Sequence, residues 1–197
     1  MAFTPCTTAG LTVNLAKSCT EPRIKGYEQI GLIILKSDID LALTSVDTTN
    51  PRIIYNLALK ATKKASVIYN SKKAPLPFNG TQTAYNREAD AYDKTVQFYY
   101  EGIGGAVSKN AIEPLKDGSY VVVLERKSKY GAGSFQVFGW QVGLSCGNDG
   151  GAQVQDEETG YWLITMTCQE PYAEIEWLDS ANTQETKIAF DGLAVGM

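Results

Sequence analysis

Residues Ser134–Leu144 read SFQVFGWQVGL, and this stretch decides the predicted fold. Side chains alternate between the two faces of a strand, so the stretch predicts one large apolar face and one smoother face. The smoother face carries Gly139 and Gly143, and a glycine there lets another backbone approach closely or marks a bulge. The apolar face belongs in a core and carries Phe138, Trp140, Val142 and Leu144.

A second stretch, Tyr161–Cys168, reads YWLITMTC and alternates in the same way. Its apolar side carries Trp162, Ile164 and Met166, and its other side carries threonines. The turn-rich linker GNDGGAQVQDEETG joins the two stretches. We therefore predict a long hairpin at the centre of a β-rich domain.

Further strands are predicted on both sides of this hairpin. The nearly continuous apolar end of Tyr27–Leu35 is typical of a strand covered on both faces, and Tyr120–Glu125 reads the same way. The only predicted helix is Ser108–Lys116, which Pro114 limits to a turn or two. The last stretch, KIAFDGLAVGM, is expected to contain a final strand. Alternation or apolar content predicts the remaining strands at 52–59, 65–70, 95–101 and 173–177.

The chain is expected to form an N-terminal arm (1–25) and a single β-rich domain (26–197). Residues 72–93 contain two prolines, an Asn-Gly pair and little apolar periodicity, which indicates a long loop, and loops of that length are often functional. The predicted fold class is mainly β: an antiparallel β-sandwich or partly closed barrel with one short flanking helix and a long loop.

Composition narrows the classes of function. A chain of 197 residues with 44% hydrophobic and 20% charged residues is typical of one globular domain. No apolar run is long enough to span a bilayer, and the first residues lack a signal-peptide pattern, so we expect synthesis in a cytoplasm and no membrane partner. The chain has no histidine, which removes the commonest general base and metal ligand. We therefore expect no enzyme.

The remaining motifs offer no reactive site. Four cysteines lack CxxC spacing, so free thiols are favoured over a bridge between Cys146 and Cys168. The acidic run 156–158 lacks the spacing of a calcium loop and is interpreted as a solvated turn. The glycines of GIGG (102–105) lack the Lys-Ser/Thr of a phosphate loop. We expect no catalytic residue, no cofactor and no metal.

Charge is segregated along the chain. Seven basic and no acidic residues lie between Thr48 and Arg87, whereas ten acidic residues and one basic residue follow Asn148. The basic segment could bind nucleic acid, could contact the acidic surface of another copy, or could simply be a solvated surface. A pI near 5.0 argues against binding to duplex nucleic acid. The candidate subunit interface comprises Arg52, Lys60, Lys63, Lys64, Lys72, Lys73, Asp156, Glu157, Glu158, Glu174 and Glu176.

An arm, the strand Tyr27–Leu35, a basic hairpin and a long loop are followed by a helix ending in EPLKDGSYVVV, then SFQVFGWQVGL and GYWLITMTCQEP. This order of elements resembles the tail-tube family of tailed bacteriophages. The resemblance implies a virion protein whose copies form hexameric rings that stack into a tube, with the arm and loop bridging the rings. It also implies other virion proteins as partners, and DNA passing through the lumen with transient, non-specific contact.

Two other readings remain open. One is an auxiliary or decoration protein on a capsid, or a ring protein at the neck. The other is a monomeric β-rich module that binds carbohydrate or nucleic acid through the tyrosines of the long loop.

Overall fold

The computed structural model describes residues 26–69, 82–100, 102, 104–128, 134–146, 154–156, 161–179 and 182–194. The predicted N-terminal arm lies outside these residues. Within them the chain forms eleven strands: β1 (Tyr27–Leu35), β2 (Ser45–Val46), β3 (Ile53–Asn56), β4 (Ser66–Tyr69), β5 (Gln82–Asn86), β6 (Ala91–Tyr100), β7 (Tyr120–Arg126), β8 (Phe135–Phe138), β9 (Val154–Asp156), β10 (Tyr161–Glu170) and β11 (Ile175–Trp177).

The strands form two sheets. The large sheet has seven strands in the order β2-β3-β11-β8-β7-β1-β4, and the small sheet has four in the order β5-β6-β10-β9. Neither sheet closes on itself within the described residues, so the prediction of a mainly β, sandwich-like fold is confirmed and the barrel alternative is wrong. The pairing is antiparallel except between β3 and β11, which run parallel.

Two apolar cores lie on the two faces of the large sheet. Ile33 of β1 faces the small sheet and joins Val96, Phe98, Ile164 and Met166 in the core between the sheets. The next residues of the same strand, Leu32 and Ile34, belong to the core on the other face. Strands β1 and β7 are therefore covered on both sides, as their continuous apolar runs predicted.

A helix covers the outer core, where a final strand was predicted. Helix α3 (Thr183–Leu193) begins after Asn182, whose side chain accepts a hydrogen bond from the backbone N–H of Gln184. This cap satisfies a donor that the first turn would otherwise leave unpaired. Thr186 and Phe190, one helical turn apart, are buried against the sheet. The prediction of a final strand is wrong because an N-cap residue and the helical spacing of the buried residues favour a helix here. These two features outweigh the preference of Ile188 and Phe190 for strands.

The predicted central hairpin is also wrong. Strand β8 ends at Phe138 and pairs in the large sheet, whereas β10 pairs in the small one. Between them Gly139 adopts a φ of +78°, which turns the chain. Leu144 then bridges to Tyr120 of β7, and Ser145 bridges to Thr167 of β10. The stretch is a corner that links the two sheets rather than one strand.

The glycine of this corner is needed for close backbone approach. A Cβ atom added at Gly139 would lie 2.5 Å from the Tyr120 carbonyl oxygen and 2.7 Å from the Leu144 nitrogen. The expected role of Gly139 is therefore confirmed. The prediction that the whole apolar face of this stretch is buried is wrong, because Val142, beyond the turn, is 57% exposed.

The predicted single helix and long loop both need correction. Residues 105–117 form α1 (Gly105–Val107), a π-helical turn (Ser108–Ile112) and α2 (Glu113–Asp117), so α3 is an additional helix. Of the predicted loop 72–93, residues 72–81 lie outside the described part. Residues 82–93 form β5, a tight turn and the start of β6, stabilised by contact between the rings of Tyr85 and Tyr92 across the pair.

Candidate assembly surfaces

Strands β4 and β5 end the two sheets at unpaired edges. Within the described residues, β4 pairs only with β1, and β5 pairs only with β6. Their sequences, SVIY and QTAYN, contain no charged residue and no proline. Edge strands that must stay single are usually protected by such residues or by bulges. Both edges can therefore accept a strand from another chain.

The small sheet has one apolar face and one polar face. Val96 and Phe98 of β6, with Ile164 and Met166 of β10, point into the core between the sheets. The side-chain amide of Gln97 donates to the Thr165 hydroxyl at 2.9 Å on the other face. The outer-face positions of β6 and β10 whose side chains the structure describes include no lysine or arginine; they are Ala91, Asp93, Thr95, Gln97, Tyr99, Leu163, Thr165, Thr167 and Gln169.

Three of the predicted interface lysines lie on the link between β3 and β4. Lys60 donates to the Ser37 carbonyl at 2.6 Å, and Lys64 donates to the Gly192 carbonyl at 3.0 Å. Lys63 forms an ion pair with Asp38 at 3.2 Å, with half of the lysine side chain exposed. The three lysines form one basic surface, the basic link, on which every member also has a partner in its own chain.

Arg52 is separated from the basic link and lies beside acidic residues. Its guanidinium sits 5.1 Å from the centre of the Tyr172 ring. Its carbonyl accepts a hydrogen bond from the backbone N–H of Glu176, because β3 and β11 are neighbours. Glu174 forms an ion pair with Arg126. Burial, and next the nearby Glu174 carboxylate, raise the pKa of Glu176. Arg52 of the basic segment therefore lies beside Glu176 of the acidic segment.

The remaining predicted interface residues lie near the small sheet or outside the described residues. Asp156 ends β9, opposite Tyr161 of β10. Four others, Lys72, Lys73, Glu157 and Glu158, fall outside the described part of the chain.

An exposed apolar loop, which the sequence analysis did not single out, follows β1. We call residues 40–46 the leucine loop; its Leu41 and Leu43 are 76% and 63% exposed. The Asp40 carboxylate accepts hydrogen bonds from the N–H groups of Ala42 and Leu43, at 3.0 and 3.4 Å. The Asn56 amide donates to the Leu43 carbonyl at 2.8 Å. The loop is thus held by hydrogen bonds while two of its large apolar side chains lie in solvent, which makes it a candidate interaction site.

A cleft of about 370 Å³ opens between the sheets and beneath the helical segment 105–117. Its walls are mostly apolar, with a few polar groups that include Asp38 and Lys64. We call it the apolar cleft. Those walls include Ile33, Ile68, Phe98, Ile112, Pro114, Leu115 and Ile164.

Buried charges lie at the sheet-linking corner. Glu170, at the end of β10, is fully buried, and its carboxylate accepts a hydrogen bond from the Gln141 backbone N–H at 2.9 Å. Its second oxygen has no hydrogen-bond partner within the described residues. Burial raises the pKa of Glu170, opposed by the Gln141 hydrogen bond and the nearby Lys94 ammonium. The carboxylate fastens the corner to the small sheet.

Lys94 and Cys168, neighbours on β6 and β10, complete this cluster. Lys94 is 1% exposed and donates to the Ala173 carbonyl, and burial lowers its pKa. Burial raises the pKa of the Cys168 thiol to about 12, which makes it a poor nucleophile. Cys146 and Cys168 are both free thiols in the structure. Glu170 and Lys94 are buried and Cys168 is half-buried, and the cluster holds the strands together.

The described residues contain no group of three or more acidic or cysteine side chains placed to hold a metal ion. None of the helices in that part of the chain has the length and apolar character that crossing a membrane requires. Compared with known protein families, curated proteins and solved structures, the chain has no match.

Proposed function

We propose that this protein is a self-assembling structural subunit of a bacteriophage virion, whose copies form rings that stack as a tail tube. The observation that carries the proposal is the small sheet, which has an unprotected edge at β5 and a polar face opposite its core. Pairing of such an edge with a neighbouring copy extends the sheet from subunit to subunit. A ring of subunits is the closed form of that contact.

The polar face of the small sheet suits a wall along which DNA moves. Phosphates bind tightly where lysines and arginines neutralise them. The outer-face positions of β6 and β10 carry threonines, glutamines and Asp93, and no basic residue. A lumen lined by this face would let DNA slide, with only transient and non-specific contacts.

Negative-stain electron microscopy of the purified protein tests the proposal. We expect rings or tubes with a central channel to form as the protein concentration rises. A protein that stays monomeric, and coats only preformed capsids, would be a decoration protein instead.

A sharper test uses the edge itself. Replacement of Ala84, in the middle of β5 and exposed, by proline removes one backbone donor from the edge strand and disturbs its backbone. The matched change Ala89→Pro lies in the exposed turn before β6, outside the strand. We expect Ala84→Pro to impair ring formation more than Ala89→Pro, with both monomers folded by circular dichroism. Equal assembly of the two variants would remove the edge from the contact.

A monomeric binding module is the remaining alternative. Its signature would be a stable monomer whose binding to an oligonucleotide falls steeply with salt. That outcome would overturn both structural roles.

A further inference from the structure

We propose that copies of this protein bind head to tail, with the leucine loop of one copy inserted into the apolar cleft of the next. This inference rests on the proposed self-assembly and names the contact that drives it. The partner is a second copy of this chain, because one molecule carries both the exposed apolar knob and a cleft of matching chemistry.

The knob, which is the leucine loop, is already held by hydrogen bonds within a single copy. The Asp40 carboxylate holds the N–H groups of Ala42 and Leu43, and the Asn56 amide holds the Leu43 carbonyl. A further backbone hydrogen bond joins Thr44 to Asp40 at 2.9 Å. Little loop order has to be gained on binding, which lowers the entropic cost of the contact.

Knob and cleft are separate surfaces of one molecule. The leucine loop runs beside β3 and includes β2, the first strand of the sheet order, and Ile39 before it bridges to Leu59. The cleft is lined by Ser66, Val67 and Ile68 of β4, the last strand of that order, and it reaches Asp38, two residues before the loop. Leu41 and Leu43 are nevertheless exposed, and no residue of the loop lines the cleft of its own copy. The cleft is therefore open to a second copy, and a contact between unlike surfaces builds rings or filaments.

Charge supports the same pairing. The loop is flanked by Asp40 and Asp47 and has no basic residue of its own between 37 and 51. Hydrogen bonds from the Tyr55 hydroxyl and from two backbone N–H groups lower the pKa of Asp47, so it stays ionised. Lys64 lines the receiving cleft together with Asp38, whose carboxylate is paired with Lys63, so the three lysines of the basic link leave this rim with a positive balance. The acidic loop and this rim fix orientation more than they add affinity.

Paired variants test the knob. Leu41→Asp with Leu43→Asp changes two exposed side chains, so the monomer should keep its fold and its thermal unfolding. Ile188→Asp is the matched control, because Ile188 is 60% exposed on α3 and belongs neither to the leucine loop nor to the lining of the cleft. We expect the loop variant to need at least about ten times more protein to sediment as assemblies, and the control to behave as the wild type. Equal assembly of all three proteins overturns this contact and leaves the proposed function standing.

A substitution at the exposed entrance of the cleft tests the cleft. Ser66 lines the cleft and is exposed, so Ser66→Trp should fill the cleft and leave the core intact. We expect the same loss of assembly as in the loop variant. Unchanged assembly would overturn the assignment. So would native mass spectra in which the wild-type monomer carries a bound apolar small molecule and the Ser66→Trp monomer does not.

A photo-crosslinker in place of Leu43 then identifies the receiving surface. We expect crosslinked peptides to contain residues 66–68 or 110–115 of a second copy, and none of these from a probe at Ile188. Crosslinks to any other region overturn the contact. A wild-type protein that stays monomeric at every concentration, with no crosslinks between copies, overturns the proposed function as well.

Discussion

Replacement of Gly139 by alanine should destabilise the protein, because this glycine forms the corner between the sheets. A side chain at a φ of +78° costs about 1–2 kcal/mol. The added Cβ would also lie 2.5 Å from the Tyr120 oxygen, so Tyr120 and Leu144 must move apart. Their two mutual hydrogen bonds, of 2.8 and 2.7 Å, contribute about 1 kcal/mol each and would be weakened. We expect a total loss of about 2–4 kcal/mol in the free energy of unfolding.

Urea denaturation followed by tryptophan fluorescence measures this loss, because Trp140 and Trp162 pack against the cores on either side of the corner. Gly192→Ala is the matched control: Gly192 lies in α3, and a Cβ there would meet nothing within 4 Å. Alanine is the better helix former, so the control should be neutral or stabilising by up to about 1 kcal/mol. A loss below about 1 kcal/mol at Gly139 would show that the corner has room for a side chain, and would refute the argument.

Three further changes test other parts of the structure. Phe190→Ala should cost about 3–5 kcal/mol of unfolding free energy and Ile188→Ala less than about 0.5, since only the first is buried; equal costs would contradict the packing of α3. Because the folded state raises the pKa of Glu170 above its ordinary value of 4.5, that residue's contribution to stability is greatest below that value and falls as pH rises above it. Glu170→Gln should flatten this fall in urea denaturation, and an unchanged pH profile would contradict the argument. Lys63→Glu with Lys64→Glu should impair assembly at low salt without changing the circular dichroism of the monomer; unchanged sedimentation would remove the electrostatic hypothesis.

The sequence was most informative where burial is simple. Continuous apolar runs predicted β1 and β7 as strands covered on both faces, and alternation predicted which side of β10 enters the core. It was least informative about which strands pair, because pairing depends on residues far apart in the chain. The stretch Ser134–Leu144 shows the limit: its glycines were recognised as unusual, but only the fold shows that they send its two halves to different sheets.

Helix α3 was predictable in part. Asn182 followed by Glu185 has the spacing of a helix start, and Thr186, Ala189, Phe190 and Leu193 recur at helical intervals. The candidate surfaces were less accessible to sequence reasoning. Pattern analysis assigns leucines to the interior, so nothing in DLALTSV shows that Leu41 and Leu43 are exposed.

The size of the proposed contact determines how it can operate. Burying a leucine side chain contributes about 1.5–3 kcal/mol, so the two leucines together contribute roughly 2–5 kcal/mol, given their partial exposure. Bringing two molecules together costs at least about 4 kcal/mol in lost translational and rotational freedom. One loop in one cleft therefore cannot hold a stable dimer. In a closed ring each copy makes two such contacts, through its loop and through its cleft, and a copy that leaves must break both at once. If edges of the small sheet also pair, the same departure breaks backbone hydrogen bonds. Assembly should therefore be cooperative: monomers should pass to rings or longer stacks with few dimers between, and a variant without the loop should disrupt rings when mixed in small proportion with the wild type.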